Sequence, residues 1–166
     1  YYAWIPYAFA GAGSFLGGLF SSYLIRRGWS VDRSRKLSLG LSAALMPVSL
    51  FITTSPLALA IVFFSLAMCG HQFWSTIMQT LAADLFPSTV VGAVTGLVGA
   101  SGSFGAMLFN LRVGALLTSY HTYTPAFLIA GFLHPASFAV ILFFIRHVKR
   151  NAPHGASAYQ DSHFTT

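Results

Sequence analysis

Gly70-His71-Gln72-Phe73-Trp74-Ser75-Thr76 sets polar side chains and aromatic rings side by side deep within a long apolar stretch. Polar groups are expensive at membrane depth, so they face protein or a water-filled cavity. Gln72, Ser75 and Thr76 carry donors and acceptors that could hold a polar ligand. Trp74 offers a flat face on which a ligand ring could stack. His71 titrates near neutral pH in water and could carry a proton. No carboxylate lies at its depth, however, which favours a neutral imidazole satisfied by a neighbouring helix. The same alternative applies to the whole patch, because buried polar side chains also join helices.

Other chemistry-bearing residues are scattered. Ser101, Ser103 and Asn110 fall in the next apolar stretch, and Tyr7 in the first, where an aromatic at the membrane interface is the competing role. Arg112 could attract an anion, but it stands about two turns from the far end of its helix and can snorkel to the interface. Asp84 sits at a helix end and is expected to pair with the basic stretch 26–36. The sequence holds no paired carboxylates, no cluster of metal ligands and no phosphate loop. Ser, His and Asp fall in different stretches without a hydrolase motif, so no enzymatic activity, metal or cofactor is expected.

The elements that position these residues follow from composition. Of 166 residues, 55% are hydrophobic and 7% charged, against about 25% charged in an average soluble domain. The net charge of +6 reflects three Asp and no Glu more than an excess of bases. Basic residues are clustered at the ends of apolar runs rather than spread over a face, which argues against nucleic-acid binding. Cys69 lies in an apolar run without a partner cysteine and reads as packing.

Five membrane-spanning helices are predicted, over about 3–25, 37–53, 57–83, 89–117 and 125–145, giving an all-α membrane protein whose surroundings are the lipid bilayer. Pro47 should kink the second span. In the first, Ala10, Ser14, Gly18 and Ser22 form a small-residue row for close helix approach, and the glycines from Gly92 to Gly105 suggest another such face in the fourth. Residues 151–166 read as a disordered tail.

Arg26, Arg27, Arg33, Arg35, Lys36, Arg146, Lys149 and Arg150 all fall on one side of this topology, and the opposite loops hold no Lys or Arg. That asymmetry places the C-terminus in the cytoplasm of a multi-pass protein of the inner (plasma) membrane. The N-terminus is then outside without a signal peptide, which suggests a fragment whose earlier spans are missing.

Two segments carry a family resemblance. Gly17-Gly18-Leu19-Phe20-Ser21-Ser22-Tyr23-Leu24-Ile25-Arg26-Arg27-Gly28-Trp29-Ser30, with Arg35-Lys36, resembles the second copy of the Gly/Asp/Arg loop motif of major facilitator superfamily transporters. Gly70 to Thr76, continuing through Ala83-Asp84-Leu85-Phe86-Pro87 to Val91-Gly92 and Gly96-Leu97, is similar to the hexuronate and sugar-acid transporters of the anion:cation symporter family. The loop motif has an acidic residue where this sequence has Ser22, and Asp32 is nearby but displaced. The resemblance covers residues 3 to about 147 and implies helices 8–12 of a twelve-helix fold, with the N-terminal helical half absent.

It further implies a secondary transporter importing a sugar-acid anion with a coupling cation, expected to be a proton, by alternating access. Residues 71–76 would line the substrate cavity, and the proton-handling carboxylate and main anion-binding arginine would lie in the N-terminal half. The alternatives are a truncated membrane fragment or helical scaffold without transport activity, and an exchanger of another organic anion.

Overall fold

The computed structural model describes residues 2–145 and 148. The tail 151–166 expected to be disordered, and the basic residues Arg146, Lys149 and Arg150, lie outside the described residues. Five α-helices follow one another: α1 (Trp4–Arg26), α2 (Val31–Leu45), α3 (Leu57–Leu85), α4 (Ser88–Tyr120) and α5 (Thr124–Phe144), with a 3₁₀ segment, Met46–Phe51, continuing α2. Four of them, α1, α3, α4 and α5, are long and apolar enough to cross a membrane. The expected second span, 37–53, falls on α2 and the 3₁₀ segment, and α2 is not among these four helices.

The stretch 26–36 is less of a loop than its charge suggests. Only Arg27 to Ser30 link the helices, with Gly28 at φ 87°, a left-handed conformation that glycine adopts without strain. Ser30 then caps α2 by accepting a hydrogen bond from the Arg33 backbone N–H at 3.3 Å. The basic residues Arg33, Arg35 and Lys36 therefore ride on the first turns of α2. At the other end of α2, Pro47 cannot donate to the helical ladder, and the chain tightens into the 3₁₀ segment instead of a kinked α-helix.

α1 and α3 run parallel and form the tightest pair. The α1 face that meets α3 is Ala10, Gly13, Gly17, Ser21 and Leu24. It is not the row Ala10-Ser14-Gly18-Ser22 expected from the sequence: Ser14 and Gly18 sit on its flank and Ser22 is exposed. A mixture of three- and four-residue steps follows the 3.6-residue turn, whereas strict steps of four drift off the contact. At Gly13 the helices approach so closely that a Cβ would collide with the Cys69 backbone carbonyl. Cys69 thus contributes its backbone to this contact.

Serines knit the same region together. Ser34, Ser38 and Ser42 form a buried stripe on α2, joined by Ser21 on α1 and Ser65 on α3. Ser38, Ser42 and Ser65 donate to carbonyls of their own helices, and Ser34 donates to the Ser21 carbonyl at 2.7 Å. Small side chains whose hydroxyls are satisfied in this way let helices close up without stranding polar groups. An apolar core of Leu39, Ala43, Phe73, Trp74, Ile77 and Leu81 fills the space between α1, α2, α3 and α5.

α4 stands apart. It buries none of its residues, and the Cβ positions of Gly92, Gly96, Gly99, Gly102 and Gly105 meet open space. The close neighbour expected for this glycine face is absent among the described residues, because α4 touches only the margins of α3 and α5.

Both ends of the bundle are tied across the sequence. Thr124 donates to Thr53 at 3.2 Å at one end, and the Val148 backbone N–H donates to Asp32 Oδ1 at 2.9 Å at the other. The Arg27–Ser30 connection, the α3–α4 turn and the end of α5 therefore share one side. Arg26, Arg27, Arg33, Arg35 and Lys36 are all on it.

Candidate functional site

The α3 patch extends further than the sequence reading took it. His71, Gln72, Ser75, Thr76, Gln79 and Thr80 are polar at i, i+1, i+4, i+5, i+8 and i+9, which stacks them on one side of the helix. Phe73, Trp74, Ile77 and Leu81 occupy the opposite side in the core. The polar strip starts at His71, the central residue of α3, and runs about 13 Å toward the basic side. Gln79 and Thr80 were missed in the sequence; the continued four-residue spacing of polar side chains was the signal that could have found them.

Within the strip, Gln72 Nε2 reaches Ser14 Oγ on α1 at 3.5 Å. Thr76 and Thr80 donate to the carbonyls of Gln72 and Thr76, one turn earlier, at 3.1 and 2.6 Å. Ser75 is half-buried, and His71 and Gln79 are exposed. His71 Nδ1 lies 3.2 Å from His134 Nε2 on α5, so the histidine has the helix neighbour that its neutral form calls for.

Trp74 is only 9% exposed. Its ring meets the edge of His134 at a centroid distance of 5.3 Å, and its other contacts belong to the core. In this arrangement the indole backs the polar strip and does not present a face from it.

The remaining expected residues are not gathered here. Tyr7 is 71% exposed near the start of α1. On α4, Ser101 turns its hydroxyl to the Leu97 carbonyl of its own helix at 2.8 Å, while Ser103, Asn110 and Arg112 are exposed. No described hydrogen bond joins any of them to α3.

Asp84 belongs to a separate cluster at the basic end. Arg35 Nε donates to Asp84 Oδ2 at 2.8 Å, and Arg35 Nη1 to Ser21 Oγ at 2.7 Å. Ser21 Oγ is in turn 3.0 Å from Ser34 Oγ. The pairing of Asp84 with a basic residue of stretch 26–36 is as expected, with Arg35 as the partner. Asp32 forms its own pair with Lys36 at 2.7 Å, one turn along α2.

The strip thus begins at the centre of α3, carries flexible amide and hydroxyl groups, and ends toward the basic cluster.

Comparison with known proteins gives the family. The model of the Major Facilitator Superfamily matches residues 2–164. The chain is 29% identical over 147 residues, 88% of its length, to the probable galactarate/D-glucarate transporter GarP of Escherichia coli strain K12. It is 36% identical over 119 residues, 69% of its length, to the hexuronate transporter of the same organism. These matches span 33% and 27% of the two relatives, so the chain corresponds to about a third or less of either.

Proposed function

The chain belongs to the major facilitator superfamily, and from that premise we propose that it forms the C-terminal helical part, helices 8–12, of a secondary transporter for hexuronate or a related sugar-acid anion. Transporters of this kind bind substrate near the bilayer midplane between helical repeats. The observation that carries the reading is the α3 strip from His71 to Thr80, which is polar from the helix centre to the basic end. The names of the two relatives support the substrate class.

In this reading Gln72, Ser75 and Thr76 hydrogen-bond sugar hydroxyls, with His71 and Gln79 at the margin of the same wall. Trp74 holds α3 in place, and its ring becomes available for stacking only if α3 shifts relative to α5 during the transport cycle. Ser101 and Tyr7 contribute only when other helices bring them toward the strip. Import is coupled to a cation, a proton in the simplest case, and proceeds by alternating access. The basic side and the C-terminus are cytoplasmic in the inner membrane, following the charge asymmetry.

The bare glycine face of α4 supports activity in a larger assembly of helices, because small-residue faces serve close helix contact. The test is uptake of radiolabelled glucuronate, galacturonate and galactarate by cells expressing the full reading frame that encodes this chain, with and without Gln72→Ala. Saturable uptake weakened by the substitution is expected. Uptake at the empty-vector level despite membrane insertion would remove these substrates and favour another anion or a scaffold.

A further inference from the structure

His71 is the central residue of α3 (Leu57–Leu85), and His134 is the central residue of α5 (Thr124–Phe144). The two imidazoles meet with Nδ1 of one 3.2 Å from Nε2 of the other, and their planes cross at 84°. Ionisable side chains at this depth mark functional sites by default, and here each is the other's partner.

The identity of what could join them follows from the surroundings. Acidic side chains among the described residues are Asp32 and Asp84, both at the basic end and engaged there. Around the pair, α1 offers Ser14 beside Gln72, the 3₁₀ segment offers Met46 against Gly70, and α3 adds Trp74. None of these groups is a carboxylate. Two neutral imidazoles without a counter-charge are a poor anion hole and a good donor set for a metal of borderline softness.

The spacing fits that use. Two nitrogens bound to a tetrahedral zinc ion at 2.0–2.1 Å lie about 3.3 Å apart. The observed 3.2 Å, a hydrogen-bond distance in the metal-free pair, also matches one edge of the tetrahedron, and turning the two rings so that both lone pairs converge on one ion completes the pair. The tautomers also suit it. His134 Nδ1 is buried with no hydrogen-bond partner among the described residues. If that nitrogen holds the proton, Nε2 presents its lone pair toward His71, as a metal-binding imidazole nitrogen must. On the His71 side, moving its proton from Nδ1 to Nε2 completes the set with no net release of protons. The exposed edge of His71 leaves room for the remaining ligands, water, hydroxide or a carboxylate.

We propose that His71 and His134 form a two-histidine site for a transition-metal cation such as Zn2+ or Cu2+, midway along α3 and α5, and that its occupation staples these two helices together. The site shares His71 with the margin of the substrate wall proposed above, but its argument does not rest on that reading.

The test uses the full reading frame that encodes this chain, in detergent micelles, in a background with His121, His147, His154, His163 and any histidine encoded outside residues 1–166 replaced by Gln, so that His71 and His134 are the imidazoles that remain. Calorimetric titration with Zn2+ should show saturable binding of one ion per chain. His71→Gln and His134→Gln should each raise the half-saturating concentration at least about tenfold, since even loss of an outer partner of a metal ligand does so. Cu2+ electron paramagnetic resonance on the background chain gives a second readout that does not depend on those variants folding: splitting from two coordinated nitrogens is expected. Absence of saturable binding in the background, binding unchanged in both single variants, or a Cu2+ spectrum without nitrogen splitting would each overturn the proposal.

Discussion

Arg35 and Asp84, 49 residues apart in sequence, meet in a buried ion pair at 2.8 Å that joins the first turns of α2 to the last turn of α3. Asp84 sits where the negative end of the α3 dipole disfavours a carboxylate, and the guanidinium offsets that repulsion. The same guanidinium donates to Ser21 on α1, so a single side chain fixes three helices at the basic end of the bundle.

Removing one partner strands the other in a site with side-chain exposure of about a tenth. Asp84→Asn and Arg35→Ala are each expected to destabilise by about 3–5 kcal/mol, read as a lower melting temperature in detergent. Arg35→Lys should be nearly as damaging as Arg35→Ala, because an ammonium lacks the planar fork that reaches Asp84 and Ser21 together. Replacing both charges, as Arg35→Met with Asp84→Leu, should recover much of the loss. Equal melting temperatures for the single variants and the parent would show that the pair is open in solution.

The α1–α3 contact predicts a sharp contrast between two neighbouring glycines. Gly13→Ala puts a methyl group into the Cys69 backbone, and overpacking of this kind costs about 1–3 kcal/mol. Gly11→Ala has nothing within 4 Å of the new methyl and should be neutral or stabilising by up to about 1 kcal/mol through helix propensity. Thermal unfolding of the two variants side by side checks this, and similar melting temperatures would contradict the parallel α1–α3 packing.

Within the α3 strip, binding and stability should separate by residue. Gln72→Ala removes a half-buried amide and should raise the KM for sugar-acid uptake by up to about tenfold, equivalent to one hydrogen bond of about 1.4 kcal/mol, with the amount of protein in the membrane unchanged. Trp74→Ala instead opens the core and should cost about 3–5 kcal/mol, lowering the folded amount before any effect on KM can be read. Gln79→Ala tests the extension of the strip and should resemble Gln72→Ala in direction. A KM unaffected at both glutamines would remove the strip from the substrate path.

Much of this architecture was legible in the sequence because lipid imposes simple rules. Long charge-free runs such as 37–83 give helices, and the clustered bases near Arg26 and Lys36 give the shared side of the loops. Pro47 was legible as a disruption of α2, but whether a disrupted helix bends or tightens into a 3₁₀ turn depends on the packing around it. The small residues of α1 announced a close contact, yet steps of four put the contact row one position away from Gly13, Gly17 and Ser21.

The candidate site was legible in part. His71 to Thr76 stood out by polarity at depth, whereas Gln79 and Thr80, closer to the basic side, were not singled out. The partnership of His71 with His134 joins helices 63 residues apart, and periodicity carries no information about such a pairing. Trp74 was legible as an aromatic near polar groups, but only the fold shows that its ring turns toward the core. The α4 glycines signal a contact surface without naming its occupant, and the described residues do not supply one.

The central claim, that the α3 strip lines a sugar-acid path, is tested most directly by uptake of radiolabelled glucuronate and galacturonate into cells carrying the full reading frame, with and without a proton uncoupler and with Gln72→Ala in parallel. The account predicts saturable uptake that the uncoupler abolishes and that Gln72→Ala weakens at equal membrane abundance. Uptake no greater than in empty-vector cells, with the protein confirmed in the membrane, would contradict it.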